Sequence, residues 1–182
     1  MQGEFKILFS GPMGAGKTTA IAAISDEAPV STDVYNSDRA TFDKELTTAG
    51  LDYGSILLGD GATVRLYGTP GQARFRFMWD ILANNAAGII LLIDAAQADA
   101  LVQLDAFVDA FGAGRRAPIV IGVGRTGDPG AFLLDSFAQR LESRGLTLPL
   151  FGVDVRRRED VLLLVDTLLC VLELADTTRM QA

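Results

Sequence analysis

The chain is predicted to be an α/β protein in which helices cover both faces of a mostly parallel sheet. Apolar runs that are typical of buried strands alternate with helical segments along the 182 residues. A glycine-rich octapeptide separates the first strand from the first helix. A glycine-flanked turn, too short to contain a helix, joins the second and third strands and makes them antiparallel. We therefore expect a three-layer sandwich around a six-stranded sheet with one antiparallel strand at its edge.

Each strand is expected where a short apolar run is bounded by turn residues. These runs are Glu4–Ser10, Asp52–Leu58, Thr63–Tyr67, Gly88–Asp94, Ile119–Val123 and Leu148–Val153. Each helix is expected in a longer segment between two strands, or after the last one. These segments are Lys17–Ser25, Ala73–Asn84, Gln97–Phe111, Pro129–Ser143 and Glu159–Ala175. The turn that makes the hairpin is Leu58–Ala62, which reads Leu-Gly-Asp-Gly-Ala.

The octapeptide Gly11–Thr18 reads Gly-Pro-Met-Gly-Ala-Gly-Lys-Thr and fits a phosphate-binding loop, GxxxxGK followed by Ser or Thr, at every fixed position. Its glycines let backbone N–H groups point at a polyphosphate, and the following helix N-terminus adds partial positive charge. Lys17 is expected to reach the β and γ phosphates, and the Thr18 hydroxyl to ligate Mg²⁺. A chance glycine turn is disfavoured because strand, loop and helix occur together. The phosphate-contacting residues are expected to be Gly11, Pro12, Met13, Gly14, Ala15, Gly16, Lys17, Thr18 and Thr19.

The composition favours one soluble domain over residues 1–182. The net charge is −7, and no basic cluster is larger than Arg156–Arg158, so nucleic acid is not expected as a partner. The most apolar stretch, Val161–Leu174, is too short to span a bilayer. The single cysteine, Cys170, lies in this stretch and is expected to be a buried small apolar residue, consistent with a reducing cytoplasm.

A second motif, Tyr67–Gln72, reads Tyr-Gly-Thr-Pro-Gly-Gln at the end of the third strand. It resembles the DxxGQ segment of small GTPases, in which the glycine amide contacts the γ phosphate and the glutamine orients the attacking water. Gly71 and Gln72 would have these roles here. Gly68 stands where the family usually has an aspartate that holds Mg²⁺ through water. The chain is most similar to a bacterial branch of Ras-like and Arf-like proteins, of the gliding-motility GTPase type, in which GTPGQ occurs and the absent aspartate is usual.

This resemblance implies a cytoplasmic GTP-binding switch with a Ras-like P-loop fold, GTP or GDP and Mg²⁺ as ligands, and slow hydrolysis promoted by Lys17 and Gln72. The polar segment 29–50 would be a switch that becomes ordered around the γ phosphate. Within it, Thr48 resembles the threonine that is a second Mg²⁺ ligand in Arf-like proteins. Thr47 is the alternative, and an ordinary turn or strand-start role for either threonine stays open.

Base recognition departs from the family pattern. Small GTPases have NKxD after the fifth strand, whereas this chain has Gly124–Gly127, with Arg125 inside it and Asp128 one position late. Asp128 is a candidate for guanine recognition, but it also precedes Pro129 and would serve equally as a helix N-cap. The last family motif would correspond to Asp154, Val155 and Arg156, whose backbone N–H groups would face the base edge, with Arg156 available to stack.

Partner surfaces are expected in two places. The apolar residues Phe75, Met78, Trp79 and Leu82 have helical spacing after Gln72 and fit either the core or a partner surface. The last helix carries ten aliphatic residues, a surplus that fits either a homodimer or partner interface or a helix covered on two sides. Relatives of this kind often act with Roadblock-type regulators.

Two other functions remain open at this stage. One is a regulatory module that binds nucleotide with relaxed base choice and little hydrolysis. The other is a small-molecule kinase with the same loop, which the hairpin and the Gly71-Gln72 pair disfavour. Met13, beside the γ phosphate, is expected either to slow hydrolysis by crowding Gln72 or simply to pack under the switch.

Overall fold

A computed structural model describes residues 4–30, 33–35, 46–48, 51–59, 61–112, 117–127 and 130–180. The strands, numbered in chain order, are β1 Glu4–Ser10, β2 Asp33–Tyr35, β3 Leu46–Thr48, β4 Asp52–Leu57, β5 Thr63–Gly68, β6 Gly88–Asp94, β7 Ile119–Gly124 and β8 Leu150–Gly152. The helices are α1 Lys17–Ile24, α2 Arg76–Ala83, α3 Ala100–Gly112, α4 Gly130–Ser143 and α5 Arg158–Met180. A short 3-10 helix, Ala73–Phe75, precedes α2.

The main sheet has six strands in the order β4-β5-β1-β6-β7-β8. Five of them are parallel, and the edge strand β4 runs antiparallel to β5 through the predicted hairpin. This order places the carboxyl ends of β1, β5, β6 and β7 at one edge of the sheet, where α/β proteins bind their ligands. The α/β prediction, with its six-stranded sheet and antiparallel edge strand, is confirmed.

The two faces of the sheet bury separate cores, because alternate residues of each strand point to opposite sides. Ile7 and Phe9 of β1 face α1 and α5, where Leu164 and Leu168 are fully buried. Leu8 faces the layer formed by α2, α3 and α4. Three aromatic residues dominate that layer: Trp79 stacks on Phe107 and Phe111 with ring centroids 4.3 and 5.9 Å away. Helices thus cover both faces, as the three-layer prediction requires.

The outer edge of β4 is covered by the chain that follows α1. Val30 exchanges two backbone hydrogen bonds with Tyr53, at 3.0 and 2.9 Å. Ser55 is bonded through its carbonyl to the Asp26 amide and through its amide to Ser25 Oγ. An uncovered edge would present N–H and C=O groups to other chains. The covered edge instead fixes β4, and with it Asp52 at its start.

Several predictions need correction. No strand is predicted in segment 29–50, but β2 and β3 form an antiparallel pair inside it. Predicted helix Gln97–Phe111 begins at Ala100, because Gln97 belongs to a turn closed by Asp94. The predicted strand Leu148–Val153 is limited to the three residues of β8. Cys170 is exposed and not buried, because it lies on the outer face of α5.

The two apolar surfaces are now resolved in part. Trp79 and Leu82 are buried, so the apolar stripe of α2 faces the core. On α5, Val161, Leu164, Val165 and Leu168 are buried, while Leu163 and Leu174 remain exposed. Most of the surplus apolar surface is therefore covered within this chain, by the sheet and α1. Within the described part of the chain, no helix is long and apolar enough to cross a membrane.

Candidate phosphate-binding site

Two glycines allow the octapeptide to fold as a tight loop between β1 and α1. Gly11 has a φ of +139°, and a Cβ atom there would lie 2.1 Å from the Leu92 carbonyl oxygen. Gly16, with a φ of +92°, precedes the first residue of α1, and a Cβ atom there would lie 2.7 Å from Val155 Cγ2. Side chains are strained in this backbone region, and here they would also clash. The loop is therefore held against β6 and against the segment that follows β8.

The Lys17 side chain stabilises the loop through hydrogen bonds to its backbone. Its side chain is 7% exposed, and its Nζ atom donates hydrogen bonds to the carbonyl oxygens of Gly11 at 2.8 Å and Pro12 at 2.7 Å. These bonds keep the positive charge at the mouth of the loop, where successive backbone N–H groups and the start of α1 also favour an anion. This arrangement of charge and N–H groups would suit a phosphate group.

A cavity of about 980 Å³ opens in front of this loop. This volume is at the upper end of the range for small-molecule sites. The cavity brings together five segments that are far apart in sequence. Its lining consists of Met13, Gly14, Ala15, Gly16, Lys17, Thr18, Thr19, Gly71, Asp94, Gln97, Gly124, Arg125, Thr126, Gly152, Val153, Asp154, Val155, Arg156 and Asp160. Most of the predicted site residues thus line one cavity.

The segment after β5 lies directly on the phosphate loop. A Cβ atom on Gly71 would be 2.5 Å from the Met13 nitrogen and 2.8 Å from Lys17 Nζ, so only glycine fits this approach. Two hydrogen bonds connect this segment to α2 and to β1. Trp79 Nε1 donates to the Pro70 carbonyl at 2.8 Å, and the buried Thr69 hydroxyl is 2.9 Å from Ser10 Oγ.

Gln72 follows Gly71, and its side-chain amide contacts the phosphate loop. Its Nε2 atom donates to the Met13 sulfur at 3.4 Å. Met13 itself is 8% exposed. The Met13 side chain is therefore packed under the segment and also contacts Gln72, and its effect on hydrolysis stays a prediction.

The hydroxyl of Thr18 donates to Asp52 Oδ2 at 2.7 Å. Asp52 is the first residue of β4, is 1% exposed, and lies opposite Gly68 in the β4–β5 register. Sequence reasoning missed this carboxylate. The available signal was the hairpin itself, because Asp52 and Gly68 are each eight residues from Asp60 at the centre of the turn.

At the far end of the cavity, Asp94 and Arg125 form an ion pair. Asp94 is 3% exposed and also accepts hydrogen bonds from the Ala96 amide at 3.0 Å and from Gln97 Nε2 at 3.4 Å. Arg125, with a φ of +54°, turns its side chain back over the end of β6. The pair forms part of the cavity wall, and the Asp94 carboxylate accepts hydrogen bonds from Arg125, Ala96 and Gln97.

The predicted base loop at 154–156 is bonded within itself. Asp154 donates its amide to Asp160 Oδ2 at 2.8 Å, and Arg156 donates its amide to Asp154 Oδ1 at 3.0 Å. The Arg156 guanidinium lies on the Asp154 carboxylate and lowers the pKa of Asp154 to about 2. Two of the three amides expected to face the base, and the Arg156 guanidinium, are thus hydrogen-bonded to carboxylates, and a role of this loop in base binding stays a prediction. Val155 also lines the cavity, and its amide has no hydrogen bond to the described residues.

The structure leaves three predicted residues, Asp128, Thr47 and Thr48, untested. Asp128 lies outside the described residues. Thr47 and Thr48 are in β3, where only the backbone is described, so neither threonine can be tested as a Mg²⁺ ligand.

The same architecture occurs among solved structures. The crystal structure of a bacterial selenocysteine-specific elongation factor, EF-Sec, superposes with a TM-score of 0.67 over 91% of this chain, at 16% sequence identity. The fold is that of a P-loop GTPase. At this identity the likeness concerns the fold alone, and this chain corresponds to 28% of the elongation-factor chain.

Proteins of similar sequence include small GTPases. Ras-related protein Rab-18-B of Danio rerio is 30% identical over 104 residues, which are 55% of this chain and 44% of that protein. ADP-ribosylation factor-like protein 8c of Arabidopsis thaliana is 29% identical over 98 residues, which are 54% of this chain and 46% of that protein. An uncharacterized protein of Methanocaldococcus jannaschii is 31% identical over 94 residues, 52% of this chain and 53% of its own length. No protein-family model matches the chain.

The chain spans about half the length of these curated relatives. Their similarity supports the resemblance to Ras-like small GTPases, whereas the gliding-motility branch stays a prediction.

Proposed function

We propose that the chain binds a guanine nucleotide with Mg²⁺, hydrolyses GTP slowly, and acts as a switch between its GDP and GTP states. The observation that carries the proposal is the contact of Gly71 with a phosphate loop braced by Lys17. A ligand that reaches the γ-phosphate position would have to contact both segments at once. The Arf-like and Rab relatives favour guanine as the base.

Phosphate binding would combine three sources of positive potential. These are the Lys17 ammonium, the N–H groups of the loop, and the N-terminus of α1. The chain as a whole carries a net charge of −7. Affinity for the anionic ligand must therefore arise locally, which favours a small polyphosphate over an extended anionic polymer.

The residues present fit Mg²⁺. The Thr18 hydroxyl lies beside the phosphate subsite and offers a hard oxygen ligand, as Mg²⁺ prefers. Within the described residues, no group of three or more His, Cys, Asp or Glu side chains could hold a metal ion by itself. Phosphate oxygens and water would therefore complete the coordination. When bound, the ion neutralises charge that develops on the phosphates.

Hydrolysis would require Gln72 to orient a water in line with the γ phosphate. Its Nε2 atom is instead bonded to Met13, so the glutamine must first turn from the sulfur toward the water. This additional step is consistent with slow turnover.

A nucleotide-binding module with relaxed base choice is the second candidate function. This candidate is favoured because the three described carboxylates that line the cavity already accept hydrogen bonds from the protein, so they are not available to a guanine base. Asp94 bonds Arg125 and Ala96, Asp154 bonds Arg156, and Asp160 bonds the Asp154 amide. Guanine discrimination would then depend on Asp128, or on a rearrangement of one of these bonds.

A regulator or effector would bind a surface on α2, beside the segment after β5 that contains Gly71 and Gln72. Phe77 and Ile81 of α2 are 64% and 65% exposed and are one helical turn apart. They follow Gln72 closely in sequence, so a protein bound there would sense movement of the segment. We propose a Roadblock-type protein as one such partner.

Calorimetric titration with GDP, GTP, ADP and ATP, with and without Mg²⁺, tests the proposal. Preferential binding of the guanine nucleotides supports the switch. Equal binding of adenine and guanine nucleotides supports the second candidate.

A further inference from the structure

The starting observation is the space beside Gly68 at the end of β5. A Cβ atom on this residue would lie 2.9 Å from Asp52 Cβ, 3.0 Å from Asp52 Oδ2 and 3.2 Å from Ile21 Cδ1. The first contact is closer than real Cβ atoms approach one another. The Asp52 side chain therefore occupies the volume into which an aspartate at position 68 would extend.

Asp52 is held in that volume from several sides. It is paired with Gly68 across the β4–β5 ladder, and its strand is fixed at the other edge by the bonds of Val30 to Tyr53. The carboxylate is almost fully buried, and Oδ2 accepts the hydrogen bond from Thr18. Burial of a carboxylate is costly unless a cation or hydrogen bonds compensate it.

We propose that Asp52 is the carboxylate that holds Mg²⁺, through a coordinated water, in place of the aspartate that is absent at position 68. The functional carboxylate has thus moved from β5 to the neighbouring antiparallel strand while keeping its position in space. This inference rests on the proposed function, because it requires a nucleotide and Mg²⁺ at the phosphate loop.

The geometry explains why the two positions are mutually exclusive. Glycine at 68 makes room for the Asp52 side chain, and a side chain at both positions would produce a clash. The carboxylate also reaches the hydroxyl of Thr18, the residue expected to ligate the ion. A water bound to the ion beside Thr18 would therefore lie within reach of the same carboxylate.

The test compares the Mg²⁺ dependence of GDP affinity in variants that keep the fold. Asp52→Asn retains the shape of the side chain and an oxygen that accepts from Thr18, but removes the charge. We expect its GDP affinity in EDTA to equal that of the wild type, while the tightening by Mg²⁺ falls at least tenfold. Asp26→Asn is the matched control, because Asp26 bonds the other end of β4 at Leu57 and should leave the Mg²⁺ effect unchanged.

A relocation variant separates metal binding from a structural role. Asp52→Gly should lose the Mg²⁺ effect, and the double variant Asp52→Gly with Gly68→Asp should regain it, because the clash with the Asp52 side chain is removed. Binding of Mn²⁺ to the GDP complex, measured by its EPR signal, should likewise be weakened in Asp52→Gly and restored in the double variant. Thermal unfolding confirms that each variant is folded.

An unchanged Mg²⁺ effect in folded Asp52→Asn would overturn the inference. A folded double variant that does not regain the effect would overturn it too, because a carboxylate that only positions Thr18 would predict that result. Failure of the wild type to bind GDP at all would instead contradict the proposed function, so the two failures are distinguishable.

Discussion

Gln72 donates a hydrogen bond from Nε2 to the sulfur of Met13, 3.4 Å away. The residue expected to orient the attacking water is thereby held by a residue of the phosphate loop. A thioether is a weak acceptor, so the contact biases the position of Gln72 without locking it.

Met13→Ala is expected to accelerate hydrolysis of bound GTP. Loss of a weak hydrogen bond and of the surrounding packing, about 1 kcal/mol, would increase the rate roughly fivefold. Single-turnover hydrolysis measures the change. Met13→Leu keeps the volume but not the acceptor and should give an intermediate rate. A slower Met13→Ala enzyme would show that the sulfur assists Gln72 and does not restrain it.

Gln72→Leu is expected to slow hydrolysis by tenfold or more, about 1.4 kcal/mol or more in activation free energy. Leucine has similar volume but cannot orient water. GDP affinity should be unchanged, since Gln72 is not part of the loop that we propose binds the β phosphate. In the double variant Met13→Ala with Gln72→Leu, the increase in hydrolysis rate expected for Met13→Ala alone should be lost. An unchanged rate would mean that another group positions the water.

Gly71→Ala is expected to separate the segment after β5, which contains Gly71 and Gln72, from the phosphate loop. The added methyl group would lie 2.5 Å from the Met13 nitrogen and 2.8 Å from Lys17 Nζ, so the segment must move. Trp79 is the one tryptophan of the chain and bonds the Pro70 carbonyl. Its fluorescence should therefore report the movement. Gly59→Ala is the control because a methyl group there meets nothing within 4 Å; identical Trp79 emission in both variants would contradict the packing described.

Asp154 is expected to stay ionised down to strongly acidic pH. Hydrogen bonds from Arg156 lower the pKa of its carboxyl group to about 2, below the value of about 3.9 in an unfolded chain. The contribution of this pair to stability is thus present above about pH 4 and is lost as the pH falls through about 2. Carboxyl NMR titration measures the pKa. In Arg156→Gln it should rise toward the unfolded value; no rise would place the cause elsewhere.

Much of the fold could be predicted because strong local patterns coincide with real elements. The apolar runs of β6 and β7 are continuous since both faces of these strands are buried. β2 and β3 lack such runs, and in the described part of the chain the three residues of each strand pair with the other strand alone, so their pattern is too short to detect. The exposure of Cys170 depends on which face of an apolar helix meets the sheet, and an apolar helix gives little indication of that face.

The candidate site was predictable where residues are consecutive in a motif. Lys17 and Thr18 are fixed by the loop that contains them. Asp52 was missed because its role depends on strand register and not on its neighbours in sequence. The bond between Arg156 and Asp154 was missed because either residue alone was consistent with base recognition.

The most direct test of a guanine-nucleotide switch is calorimetric titration of the wild type and of Lys17→Ala with GDP, GTP, ADP and ATP in the presence of Mg²⁺. Lys17→Met serves as a control that keeps most of the side-chain volume without the charge. We predict saturable binding of GDP and GTP to the wild type, weaker binding of ADP and ATP, and at least a hundredfold loss in both folded Lys17 variants, about 3 kcal/mol, since charge-assisted contacts to phosphate are lost. Absence of binding to the folded wild type, or unchanged affinity in the Lys17 variants, would contradict the account.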